Sequence, residues 1–110
     1  MKDIWGNLID TNEKNLSILI SDPPLGSKSQ KCEMAKVLVE NLNVQNLSIM
    51  NSAVLSLFST GRTTGIVIES GHGITTAVPI FEGYALNHAI QRIDLAGHDV
   101  TNHLLESLMN

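Results

Sequence analysis

Ala53-Val-Leu-Ser-Leu-Phe-Ser-Thr-Gly-Arg-Thr-Thr-Gly-Ile-Val-Ile-Glu-Ser-Gly-His-Gly-Ile-Thr-Thr-Ala-Val-Pro-Ile-Phe-Glu-Gly-Tyr-Ala-Leu86 is the stretch whose reading decides the fold. Ala53 to Ser59 predicts a short helix, stopped at Gly61, a residue that tolerates the left-handed conformation helix ends often need. Thr64 to Ile68 is β-branched and continuously apolar, the mark of a strand covered on both faces. Ser70-Gly-His-Gly73 is a tight turn, and Ile74 to Ile80 returns as a second strand. Together they predict a β-hairpin with a glycine-rich tip.

Downstream of the hairpin, Ala89 to Leu95 reads as a further strand. Past Gly97, Asp99 is placed to cap a last helix that turns Val100, Leu104 and Leu108 inward. Upstream, Leu47 to Met50 reads as a strand. Before it, Ser27 and Gln30 stand at capping-box spacing, and Met34, Leu38 and Leu42 repeat every four residues, as on one face of a helix. Leu16 to Ile20 is an apolar run of strand length stopped by Asp22-Pro23-Pro24. Asp10 to Asn15 is polar and reads as a loop, and Lys2 to Ile9 as a short helix with Ile4, Trp5 and Leu8 on one face. Strands and helices alternate first, a hairpin follows and a helix closes, an order that favours α/β layers.

The 110 residues suit one domain or part of a larger one, with a single modest core. At 43% hydrophobic and 16% charged, the composition is globular rather than disordered. The net charge of -4 comes with no Lys or Arg cluster, which argues against nucleic-acid or acidic-membrane partners, since both require a basic stripe. Cys32 is the only cysteine, so no internal disulfide forms, and a free thiol suits a reducing compartment. No run of about 18 apolar residues is present to span a membrane, and the start Met-Lys-Asp-Ile-Trp has no signal core, so the expected location is intracellular. The last helical pattern is cut at Asn110 without a glycine stop, as in a piece of something longer.

The run from Ala53 to Leu86 closely resembles actin and actin-related proteins, and the resemblance continues through Ala89-Ile-Gln-Arg-Ile-Asp-Leu-Ala-Gly-His-Asp99. Asp22-Pro-Pro-Leu25 and the helix after it match weakly but in register, while the segment between Trp5 and Leu16 looks shorter than in a typical actin. The resemblance implies a partial actin-like fold of the ribonuclease H-like, Hsp70-type ATPase class, in which two α/β halves hold nucleotide between them. Residues 1–59 would be part of subdomain 1, residues 60–95 the start of subdomain 3, and residues 96–110 the start of the following helix toward subdomain 4. Ala53 to Ser59 would be the hinge helix. The first phosphate loop, the adenine pocket and the subdomain that closes over the nucleotide would all be absent.

By the same resemblance, the hairpin tip is the family's second phosphate loop, usually Asp-Ser-Gly-Asp-Gly. Here it reads Glu69-Ser70-Gly71-His72-Gly73. Backbone N–H groups of such a turn converge and can cradle a phosphate. The glycines are kept, but Glu69 and His72 stand where the family has aspartates near the metal and phosphates, positions where hard oxygen ligands at a fixed reach matter. Hydrolysis needs an in-line water held by a side chain that accepts from it. The family's glutamine and histidine for this task correspond to Ser52 and Thr76, whose hydroxyls lack the reach. Losing both implies a rate lower by several orders of magnitude, and so no ATPase activity. No bound cofactor is expected, with ATP and magnesium held only if missing segments complete the site.

The resemblance also implies a partner groove beneath the hinge, mapped onto Phe58, Gly61, Thr63, Ile80, Glu82, Tyr84 and Leu86, into which an amphipathic helix would insert. Phe58 and Ile80 equally suit ordinary core packing. Arg62, in the family's Gly-Arg pair, reads as a hinge residue. His98 and His103 are five apart, off one helix face, and read as surface histidines, so no metal site is expected. Trp5 reads as a packing residue. The leading expectation is a truncated, divergent actin-like structural or interaction subunit in the cytoplasm and cytoskeleton, with cytoskeletal or actin-related protein partners and no nucleic-acid or membrane partner. The alternatives are a fragment of a complete ATP-binding, filament-forming actin-type protein, or a decayed product with no retained role.

Overall fold

The computed structural model describes residues 2–9 and 15–110 and divides into two compact units. The loop read at Asp10 to Asn15 lies outside the described residues except for Asn15, which has φ 66°.

The first unit comprises Met1–Asp22 with Gly26–Met50. Its elements are α1 (Lys2–Leu8), β1 (Ser17–Asp22), α2 (Lys28–Lys36) and β2 (Asn46–Asn51), whose last residue passes into the second unit. The two strands pair, and Leu16 O at the start of β1 accepts from the N–H groups of Gln45 and Asn46. Ser27 caps α2 as its spacing predicts, its side chain accepting from Gln30 N at 3.2 Å. The helical path then widens into a π-turn over Val37–Asn41, where one regular helix was expected. It stops at Asn43, with φ 52°, while Val44 N–H closes back on Leu38 O. Leu38, Leu42 and Val44 form the buried core, packed by Trp5, Ile9, Leu16, Ile18, Ile20, Met34 and Leu47. Trp5 is therefore a packing residue. Asp22 is buried beside Lys31, with Oδ2 at 3.3 Å from Nζ.

The second unit comprises Pro23–Leu25 with Asn51–Asn110. Asn51 caps α3 (Ser52–Ser59), its side chain accepting from Ala53 N at 2.9 Å. The hairpin pairs β3 (Gly65–Ser70) with β4 (Thr75–Phe81). β4 also pairs with β5 (Tyr84–Ala85) and β6 (Gln91–Ile93). Opposed residues on one hairpin face are Gly65 and Ile80, Val67 and Val78, and Glu69 and Thr76. Thr76, Val78 and Ile80 are buried there, with Ala53, Val54 and Leu57 of α3 also buried. A Cβ on Gly65 would lie 3.4 Å from Leu57 Cδ1, so helix and strand approach closely.

Three expectations are corrected in this unit. β3 is covered on one face only: Ile66 and Ile68 are 71% and 72% exposed, because no described element packs over their side of the hairpin. The strand expected over Ala89–Leu95 shrinks to β6, preceded by a 3-10 turn at Asn87–Ala89, since β6 has only Thr75–Ala77 to pair with. The last helix, α4 (Gly97–Met109), begins two residues before Asp99, with Ala96 in the cap position. Asp99 instead sits in the first turn and its carboxylate accepts from Ala96 N at 3.0 Å. Val100, Leu104 and Leu108 point outward, because no described element meets their stripe.

Candidate functional site

The hairpin tip is closed by two side chains of β character. Ser70 and Thr75, the last opposed pair, share a hydroxyl hydrogen bond of 2.9 Å, and Thr75 Oγ1 donates to Leu95 O at 2.7 Å. Inside the turn, Gly71 N–H donates to Ile74 O at 3.0 Å. The tip is joined to the start of α4 by two backbone bonds, Gly97 N–H to Gly71 O at 2.9 Å and His98 N–H to His72 O at 2.8 Å. Glycine at position 97 eases this approach, since a Cβ there would stand 3.2 Å from Gly71 O and push it back by a few tenths of an ångström. Neither Gly71 nor Gly73 has a positive φ, and a Cβ on Gly73 would meet nothing within 4 Å. At the tip itself a Cβ on Gly71 would come no nearer than 3.8 Å to Ile74 O, so neither glycine is fixed there by space or by backbone strain.

Glu69 is held from the helix side. Its Oε2 accepts from Ser52 Oγ at 3.1 Å and its Oε1 from Ser56 Oγ at 2.9 Å. Ser52 and Ser56 are one helical turn apart, so both hydroxyls of α3 reach the same carboxylate. Ser56 Oγ also lies 3.1 Å from Ser52 O, so its single proton is divided between two acceptors. Thr76, opposite Glu69 on β4, is 8% exposed and faces the core. Ser52 thus meets Glu69 through a side-chain bond, and Thr76 lies opposite Glu69 in the hairpin register. Ser56 was not foreseen, and its i+4 spacing from Ser52 is the signal that would have found it.

These residues fit a nucleotide phosphate in one respect and a hydrated hard cation poorly. The N–H groups of His72 and Gly73 make no backbone hydrogen bond among the described residues, as a phosphate cradle requires. Both oxygens of Glu69, in contrast, already face serine donors rather than a metal's water shell.

The second candidate surface lies at the other end of β4, about 20 Å away by strand rise. Gly83 N–H donates to Thr63 O at 2.8 Å, Glu82 N–H donates to Thr64 Oγ1 at 3.1 Å, and a Cβ on Gly83 would lie 3.3 Å from Phe58 Cζ. Phe58, Tyr84 and Leu86 are exposed around this turn, together with Phe81. Ile80 is only 2% exposed and offers a partner no surface; it belongs to the core reading. Gly61, with φ 79°, ends α3, and Arg62 after it is exposed. A tilted pair of imidazoles, His72 and His98, was also missed, being 26 positions apart with no local motif. No group of three or more His, Cys, Asp or Glu side chains is placed to hold a metal ion among the described residues, and no described helix is long and apolar enough to cross a membrane.

Comparison with known proteins agrees with this geometry. The family model for actin matches residues 1–110. An actin-like protein of Neurospora crassa is 42% identical over 108 residues, covering 94% of this chain and 28% of that relative. The chain thus spans just over a quarter of the length of this curated relative. With a family match along its whole length, and a mixed α/β structure carrying the helix and hairpin that the motif demands, this chain is a member of the actin family, consistent with a part of the actin fold.

Proposed function

We propose that this chain is a divergent actin-family structural or interaction subunit that does not hydrolyse ATP. One observation carries the reading: the Ser52 hydroxyl, at the position the family resemblance assigns to a water-holding glutamine, donates to Glu69 at 3.1 Å. A side chain committed to a neighbouring carboxylate is poorly disposed to orient an attacking water, and its reach is short. The buried Thr76 adds to the same reading. Binding to a protein partner would use the exposed aromatic end of the sheet, at Phe58, Tyr84 and Leu86, through an amphipathic helix. Family membership supports a cytoplasmic, cytoskeletal setting and a reading of residues 1–59, 60–95 and 96–110 as successive subdomain portions.

A second reading has its own support. The chain covers 28% of its actin-like relative, as a fragment of a complete ATP-binding, filament-forming protein would. Isothermal titration of the chain with Mg-ATP distinguishes them, together with phosphate release by any longer chain that contains it. The proposal expects no saturable ATP binding here and no release above background there. Micromolar binding by this chain, or turnover by the longer one with Ser52 and Glu69 intact, overturns the silent-subunit reading.

A further inference from the structure

His72 and His98 come from different elements, the hairpin tip and the first turn of α4, yet their ring centres are 4.8 Å apart with planes at 49°. The backbone bonds Gly97 N to Gly71 O and His98 N to His72 O fix the two main chains against each other, so the pairing is built into the fold. Both residues are exposed. We propose that this pair is a two-histidine site for a borderline transition-metal ion of the Zn2+, Ni2+ or Cu2+ class, with water filling the remaining positions.

The separation of the ring centres is compatible with such an ion. A metal about 2.1 Å from a ring nitrogen lies about 3.2 Å from that ring's centre, so ligand angles of about 90–109° hold two ring centres about 4.5–5.2 Å apart. The observed separation falls within that span. Imidazole suits Zn, Ni and Cu, whereas magnesium and calcium take oxygen ligands, so this site is distinct from the hard-cation chemistry of a nucleotide cleft. A supporting group is present: Asn102, one turn along α4, has Nδ2 at 3.1 Å from His98 Nε2. With the amide rotated to present Oδ1, it accepts from Nε2–H and leaves Nδ1 of His98 free to ligate, the usual outer-shell arrangement for a metal-bound histidine. A helix N-terminus repels cations, but here the first-turn carboxylate of Asp99 and the carbonyls of Gly71 and His72 lie against that end.

Titrating the full chain with Zn2+ by calorimetry tests the assignment. One equivalent of saturable binding is expected, with none for Mg2+. His72→Ala and His98→Ala should each weaken it about tenfold or more, Asn102→Ala about tenfold, and His88→Ala or His103→Ala not at all. Should a variant fail to fold, the wild-type chain still decides the matter. Substoichiometric Ni2+ or Cu2+ should broaden the NMR signals of His72 and His98 before those of His88 and His103. Absence of saturable binding, equal broadening of all four histidines, or undiminished binding in the folded His72/His98 double variant overturns the proposal.

Discussion

Glu69 changes its meaning once its neighbours are known. Read along the chain it is an aspartate lengthened by one methylene; in the structure that extra length lets both carboxylate oxygens reach the serines of α3. Its part-buried carboxylate accepts both bonds and fastens β3 to α3, so Ser52→Ala with Ser56→Ala should destabilise the second unit by about 1–2 kcal/mol. Chemical denaturation checks this, and no change in the midpoint would show the contacts to be idle. Gly26 is a more severe position. A Cβ there would stand 2.6 Å from Asp22 Oδ2, and Asp22 is buried and paired with Lys31. Gly26→Ala should therefore cost about 1–3 kcal/mol by forcing that carboxylate aside, read in the same denaturation experiment. The close approach was not legible in the sequence, because nothing in the local pattern brings Gly26 back onto the Asp22 side chain four residues earlier.

At the scale of elements, local signals carried well where chemistry and periodicity agreed. The Ser27 cap, the Met34, Leu38 and Leu42 stripe, and the hairpin from Gly65 to Phe81 all followed from residue type and spacing. Burial did not. The β-branched run through Ile66 and Ile68 predicts two covered faces, yet coverage depends on what packs there, and one face is bare. The same holds for α4, whose apolar stripe is correct in period and outward in direction. Asp99 illustrates a smaller shift: a carboxylate in the first turn can serve the cap position's N–H without occupying it. In the β4–β5 turn, Gly83 combines φ 84° with a Phe58 ring 3.3 Å from where a Cβ would sit. Gly83→Ala should cost about 1–2 kcal/mol from the left-handed backbone, plus displacement of Phe58. A fall in thermal midpoint with altered Phe58 ring signals is the expected result; an unchanged midpoint would count against it.

For the molecule as a whole, the family was legible because a long contiguous motif carries it, while the candidate sites depended on pairs distant in sequence, such as Ser56 with Glu69 and His72 with His98. The exposed Ile66, Ile68, Val100, Leu104 and Leu108 give the second unit more uncovered apolar surface than its own elements can hide. Replacing Ile66 and Ile68 by Thr keeps strand propensity while removing exposed hydrocarbon. The double variant should bind less hydrophobic dye and stay monodisperse to higher concentration in light scattering, and unchanged dye binding would mean that face is already covered in solution. The two bonds between the glycine turn and the start of α4 carry a mechanical implication. Because the turn's carbonyls hold the helix by its leading amides, a pull on the tip is delivered as a pull along the helix axis. Those amide protons should then trade with solvent only when the joint parts as one hinge.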